Sequence, residues 1–430
     1  MTSQYNHNLT SKITKTLRKL LQPIQPNGTI LIAINNDPVY QQYFGFADIG
    51  ENQSTSLQTQ YLIASITKQF SAAALLNVLY IAAKNGSKTD AELEKNVTTA
   101  LQKAVSNYLP RTHEIWANSM PEWADTVTLH QLLVHSSGIP NYTSLPGFDS
   151  LKNMNDVDII SIFKIHALEF VPGTKFSYTN SGYFMLGTLI QEISGQPFDQ
   201  YLQTTFFNPL EMHSTHLPVG GTVNDLKQHD SRFSNLARGY TYNITVPHAK
   251  LTEVDHYTAM QIPGSAGGLV STVSDLLIWN NALYGGKILP SFLVNMMLQS
   301  YIQTEKQNEY YGYGIEIKNT PSFGVYYTHR GGIPGFQSRL TYIPAYQLSI
   351  VISENVRGDK ERLYPEIEAI KLELPKTLPE SELSQRLEEI LESKYPSVAE
   401  NRIHYQLTPL EDSVINVLAN SATPRENHHE

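Results

Sequence analysis

Ala64-Ser65-Ile66-Thr67-Lys68-Gln69-Phe70 opens an apolar run that continues through Ala72, Ala73, Ala74, Leu75, Leu76 and Val78. This pattern predicts a deeply buried helix over 65–84. Positions i and i+3 share a helix face, which brings Ser65 Oγ and Lys68 Nζ within hydrogen-bond reach. A serine at a helix start also sits at the positive end of the macrodipole, where a developing alkoxide is favoured. The plainer alternative is an N-cap serine followed by a surface lysine. The chain carries its own control, because Ser161-Ile162-Phe163-Lys164 repeats the spacing without chemical surroundings. Such a match arises by chance roughly once or twice in a chain this long, so the pair alone decides nothing.

Upstream of the run, 29–34 and 39–46 are β-rich and separated by Asn35-Asn36-Asp37-Pro38, a hairpin signal. Downstream, from about 90 to 290, helical patterns alternate with Gly and Pro loops. Gly264-Ser265-Ala266-Gly267-Gly268 is expected as a flexible loop before a helix at 274–284. Strand patterns return at 324–330, 336–343 and 348–354, spaced like an antiparallel meander, and a helix follows at 359–374. The fold class expected is α+β (α/β): a central antiparallel β-sheet built from both chain ends, flanked by helices, with a mostly helical subdomain of about 65–290 inserted. Three segments are expected: an N-terminal helix in 1–27, a main domain over 28–374, and an acidic, partly helical C-terminal extension over 375–430.

The chain has 430 residues, 41% of them hydrophobic, enough for a substantial core. It has no cysteine, which removes disulfides, thiolate metal sites and a cysteine nucleophile. Of its net charge of −9, residues 358–430 hold 8 Lys+Arg against 15 Asp+Glu, a balance of −7. No basic face for nucleic acid is expected. The first twenty residues lack an apolar core, so no secretory signal is expected and a cytoplasmic place is the default, with a periplasmic or secreted one left open. The apolar stretch 70–83 is read as too short and interrupted to span a bilayer. No cofactor and no metal site are expected; oligomeric state is left open.

Chemistry enters with two later motifs. Tyr178-Thr179-Asn180 follows a Pro172-Gly173 turn. A tyrosine acts as a base when its phenol, free pKa near ~10, is lowered by a neighbouring ammonium, and Lys68 is the expected neighbour. Asn180 offers an amide for Lys68 or for a substrate carbonyl. His329-Arg330-Gly331-Gly332 ends an expected strand, and glycine there lets a ligand approach the backbone. A backbone N–H at this point can join that of Ser65 in an oxyanion hole. The plainer alternatives are a core tyrosine beside a turn asparagine, and a strand running into a Gly-rich loop.

With these residues in order, the chain resembles the serine β-lactamase and penicillin-binding superfamily, in its class C-like branch of D-alanyl-D-alanine carboxypeptidases, D-aminopeptidases, esterases and class C β-lactamases. The resemblance runs through ASITKQFSAAALL, TLHQLLVHSSGIPNY, FVPGTKFSYTNSGYFMLGTLIQEISGQPF, NPLEMHST, GSAGGLVSTVSDLLIW and HRGGIPGFQSRL, in family order from about 28 to 356. It implies that Ser65 is the acylated nucleophile, Lys68 the lysine that takes or relays its proton, Tyr178 the general base and Asn180 its companion amide. His329, Arg330 and Gly331 fall on the third motif, and the N–H groups of Ser65 and Gly332 on the oxyanion hole. The implied activity is cleavage of a peptide, amide or ester substrate through a Ser65 ester. The alternative is a catalytically idle relative serving as a sensor, scaffold or self-assembling unit.

Two departures bear on substrate. His329 stands where β-lactamases carry lysine; it titrates near neutrality and is a weak permanent anchor for a carboxylate. Arg330 replaces a small hydroxyl residue, its side chain either turned away from the pocket or binding an anion. Both point away from efficient β-lactam hydrolysis, toward carboxypeptidase-like or esterase-like chemistry. His213 and His216 lack a third ligand for a metal. The polar residues of 133–140, His135 among them, are read as loop structure.

Overall fold

The computed structural model describes residues 27–357, apart from 147, 149–154, 219, 221, 242–250, 255–263 and 321–323. The helices expected within 1–27 and at 359–374, and the extension 375–430, lie outside the described residues.

The first strand, β1 (Gly28–Ile34), is buried on both faces, which explains its unbroken apolar run. Asn35 and Asn36 adopt φ of 51° and 70° and form the turn into β2 (Asp37–Phe44). Asparagine tolerates this left-handed conformation, and the resulting turn matches the strand twist. β2 is an edge strand, which is why it accepts Pro38, and its register slips between Ile32 and Ala33.

The chain returns to the sheet much later, through β3 (Ile302–Gln303), β4 (Glu309–Tyr311), β5 (Glu316–Thr320), β6 (Gly324–Ile333), β7 (Phe336–Ile343) and β8 (Leu348–Glu354). The order is β2-β1-β8-β7-β6-β5-β4-β3, antiparallel throughout. β1 zips onto β8 from Gly28–Glu354 to Ile34–Leu348, so the two ends of the described chain are neighbours in the sheet. The expected antiparallel sheet is therefore present. Strands β3 to β5 were not expected from the sequence, because Gly312 and Gly314 interrupt their aromatic pattern.

Between the two sheet segments lies the helical block. α1 (Thr67–Lys84) buries Phe70, Ala72 to Leu76, Val78 and Leu79. Each fully buried leucine contributes about 1.5–3 kcal/mol. Contrary to the reading of 70–83, the continuous helix Ala64–Lys84 is long and apolar enough by length and composition to cross a membrane. Because 72% of that window is buried inside the protein, it is the core helix of this fold. The Phe70 ring stacks on Trp279 at 4.0 Å, fastening α1 to α3 (Val273–Tyr284), while α2 (Asn180–Ser194) packs alongside.

Gly264–Gly267, expected as a flexible loop, is a buried helical turn. Ser265 Oγ lies 2.9 Å and 3.1 Å from the Tyr183 and Phe184 carbonyls, and Ser71 Oγ donates to Ser265 O at 2.6 Å. Gly187 makes the approach possible, since a Cβ there would sit 2.4 Å from Ser265 Oγ. Small residues read as flexibility in the sequence serve here as close packing.

Candidate active site

Ser65 sits in a 3-10 turn, Ala64–Ile66, just ahead of α1. Ala64 holds φ 46°, a conformation costly for a residue with a Cβ and enforced by the Ile63 N–H bonded to Leu269 O at 3.0 Å. Neither the 3-10 turn nor α1 has a side-chain cap, so the Ser65 hydroxyl is not spent as an N-cap. It faces Lys68, whose Nζ lies 3.1 Å from Ser65 Oγ.

Lys68 is fully buried. Its Nζ donates to Asn180 Oδ1 at 2.8 Å and to Ala266 O at 2.7 Å. Burial holds its amine well below the usual lysine range. All three groups around Nζ can accept: Asn180 Oδ1 and Ala266 O accept only, and Ser65 Oγ takes the third N–H of the ammonium or, once that proton is lost, gives its hydroxyl proton to the lone pair. The Asn180 orientation agrees with this, because its Nδ2 donates to Thr143 Oγ1 at 3.3 Å. Of the two roles open to Asn180, the structure places its oxygen on Lys68.

The Tyr178 hydroxyl is hydrogen-bonded to Ser65. Burial pushes the phenol well above its usual range, and the Ser65 bond opposes this only in part. This corrects the expectation that Lys68 lowers it. Lys68 Nζ sits 4.9 Å from the centre of the Tyr178 ring, over its face. Burial thus moves the two groups in opposite directions, the Lys68 amine down and the Tyr178 phenol up.

The third motif lies on β6, which pairs with β5 only from Gly324 to Thr328; residues 329–333 run past its end. β6 and β7 are joined by the two-residue turn Pro334-Gly335, with Gly335 at φ 72°. Ladder parity from the closing Ile333–Phe336 pair aims the backbone of Gly332 away from β7, toward the side where β5 has ended. Gly331 faces the nucleophile turn. A Cβ on it would meet Ile63 O at 2.1 Å and Ser338 Oγ at 2.2 Å, and Ser338 Oγ itself donates to Ile63 O at 2.7 Å. Gly332 follows directly in the chain, one residue beyond the contact with Ile63.

His329 and Arg330 depart from expectation. His329 is 1% exposed; its Nδ1 donates to Arg330 O at 2.7 Å, which leaves Nε2 to accept from the Tyr311 hydroxyl at 2.8 Å. Burial lowers its pKa to about 4, with Glu316 opposing. It is neutral at physiological pH rather than titrating near neutrality, and no carboxylate anchor. Alternation along β6 turns the Arg330 side chain to the face opposite Gly331, directly across from Arg339. Of the two positions the sequence allowed, strand alternation favours the one turned away from the face that meets the Ser65 turn.

Ser161 and Lys164 separate cleanly from Ser65 and Lys68. Lys164 Nζ donates to Trp116 O at the end of helix Asp156–Lys164. His216 is used for structure, its backbone pairing with Val270 in both directions. Among the described residues no cluster of three candidate metal ligands occurs. Residues that sequence reasoning missed are Ala266, whose contribution is a carbonyl that any residue supplies, and Tyr311 and Tyr183. The repeated Tyr-Gly of 311–314 was the signal for Tyr311.

The family model described as Beta-lactamase matches residues 15–372. Penicillin-binding protein 4* of Bacillus subtilis (strain 168) is 24% identical over 345 residues, covering 78% of this chain and 70% of its own. The penicillin binding protein from Bacillus halodurans superposes with a TM-score of 0.62 at 22% identity, covering 82% of this chain and 98% of that one. D-amino acid amidase from Ochrobactrum anthropi SV3 gives 0.64 at 21%, with 85% and 99% covered. The two structural likenesses concern the fold, and the family model spans both the sheet and the helical block. With the ordered motifs and this sheet topology, they establish that the chain belongs to the Beta-lactamase family.

Proposed function

We propose that the protein is a serine hydrolase cleaving an amide or ester bond through an acyl-enzyme on Ser65. The observation that carries this is Lys68 Nζ, buried among neutral acceptors and 3.1 Å from Ser65 Oγ. Lys68 takes the Ser65 proton as Oγ attacks the carbonyl, and the Ser65 and Gly332 N–H groups receive the developing oxyanion. Tyr178, protonated and bonded to Ser65, delivers a proton to the departing group. Water then hydrolyses the ester by the reverse transfers.

Substrate class follows from the third motif. A neutral, buried His329 and an Arg330 turned to the other face leave that motif without a cation for a substrate carboxylate. This favours esters and amides whose leaving group bears no carboxylate, and disfavours both the carboxypeptidase expectation and β-lactam hydrolysis. The similarity to a D-amino acid amidase supports the amide side of this reading. A catalytically idle scaffold is disfavoured because a buried lysine and a strained Ala64 are costs that an idle copy has no use for.

Reaction with a fluorophosphonate and, in parallel, a fluorescent penicillin tests it. Wild type is expected to label with the fluorophosphonate and Ser65→Ala to remain unlabelled. p-Nitrophenyl esters and D-amino-acid amides should turn over faster than D-Ala-D-Ala peptides or nitrocefin. Absence of label with both probes overturns the nucleophile; label surviving Ser65→Ala moves it to another serine.

A further inference from the structure

His135 brackets Tyr178 at three points. Its carbonyl accepts the Ser177 N–H at 2.8 Å, and its Nδ1 accepts the Thr179 N–H at 3.2 Å, so the residues on either side of Tyr178 are both tied to it. Its ring lies against Tyr178 itself, with centroids 4.2 Å apart and planes 36° from parallel. Tyr183 and Tyr311 close the same space at 5.0 Å and 4.7 Å.

The way His135 is held is not what packing alone asks for. It is fully buried and adopts φ 56°, a conformation few residues with a Cβ take up. Because Nδ1 accepts, the ring proton is on Nε2, and among the described residues Nε2 has no hydrogen-bond partner. A buried N–H without a partner is a cost that an apolar side chain of similar size avoids. What an apolar side chain cannot supply is the acceptor for Thr179.

We propose that His135 is the positioning residue of Tyr178: backbone carbonyl, ring nitrogen and ring face together hold the phenol on Ser65. This rests on the Ser65–Lys68–Tyr178 assignment and adds to it a residue whose only work is to fix where the Tyr178 hydroxyl points. Two substitutions divide its contributions. His135→Phe keeps a ring and removes the acceptor. His135→Asn keeps an acceptor, tolerates the left-handed backbone, and removes the ring.

The test is saturation labelling with a fluorophosphonate, in wild-type and Tyr178→Phe backgrounds, with circular dichroism reporting the folded fraction. Each His135 variant is expected to lower the maximal labelling rate per folded molecule by about tenfold or more, with half-saturation unchanged, as for a misplaced catalytic group. In the Tyr178→Phe background the same substitutions should cost little further, because the group they position is gone. Equal slowing in both backgrounds overturns the proposal, as does a loss confined to the folded fraction. Should His135→Phe fail to fold, His135→Asn carries the same comparison. A wild type that takes no label at all overturns the Ser65 reading and His135 with it. A labelled wild type with variants that react at its rate removes His135 alone.

Discussion

Lys68 Nζ lies 2.7 Å from the Ala266 carbonyl, on a turn nearly two hundred residues away in the chain. With the bond to Asn180 Oδ1 and the 3.1 Å approach to Ser65 Oγ, it holds the amine in place beside the serine. Burial favours the uncharged form of this lysine.

Stability should report that charge state. A lysine whose folded pKa is depressed binds fewer protons in the folded than in the unfolded chain, between its folded value and the unfolded value near ~10.4. Stability therefore rises with pH through that window. Urea unfolding of wild type and Lys68→Met at pH 6, 7.5 and 9 should show wild type gaining on the variant as pH increases. Parallel curves would mean that Lys68 is charged in the folded protein.

The rate of acylation should follow the same group. With Tyr178 raised and Lys68 lowered, the ascending limb of labelling rate against pH belongs to Lys68 losing its proton. Tyr178→Phe should slow labelling by about 10²–10⁴ yet keep that limb in place. Loss of the limb in this variant assigns the titration to Tyr178 instead.

Gly331 should tolerate no side chain. A Cβ 2.1 Å from Ile63 O and 2.2 Å from Ser338 Oγ must displace the turn that carries Ser65. Gly331→Ala is expected to cost about 1–3 kcal/mol by overpacking and to abolish labelling. Ser338→Ala, which removes only the 2.7 Å bond to Ile63 O, should cost about 1 kcal/mol and slow labelling moderately. Thermal unfolding and labelling rate measure both, and a Gly331→Ala variant that labels normally would falsify the packing account.

Arg330 and Lys164 serve as contrasts. Arg330→Ala should change the half-saturation of anionic and neutral ester substrates alike, since its side chain is on the other face of the sheet. Selective loss of the anionic ester would place Arg330 in the pocket. Lys164→Met should lower stability by only about 0.5–1.5 kcal/mol, because the Trp116 carbonyl keeps the Ser119 N–H when the lysine is removed, and Ser161→Ala should label as wild type.

Local information in the sequence was enough for the sheet strands with regular β-branched patterns, for the buried helix after Ser65, and for the order of the motifs. Asn35-Asn36 announced a turn because few other residues accept its backbone angles. Strands β3 to β5 were hidden by glycines that break the pattern while making the turn at 312–315 possible. Gly264–Gly267 was misjudged for a similar reason: small residues look mobile until something is seen packed against them.

The sequence by itself determined which residues are available: a serine and lysine one helical turn apart, a Tyr-x-Asn, and a His-x-Gly at a strand end. Only the tertiary structure decided their charge states and directions. Burial, set by elements distant in sequence, lowers the proton affinity of Lys68 and His329 and raises that of Tyr178. Strand parity and the end of β5 turn Arg330 to the face opposite Gly331 and direct the Gly332 backbone away from β7. Proton affinity depends on how much water and charge surround a group, and no stretch of seven residues contains that information.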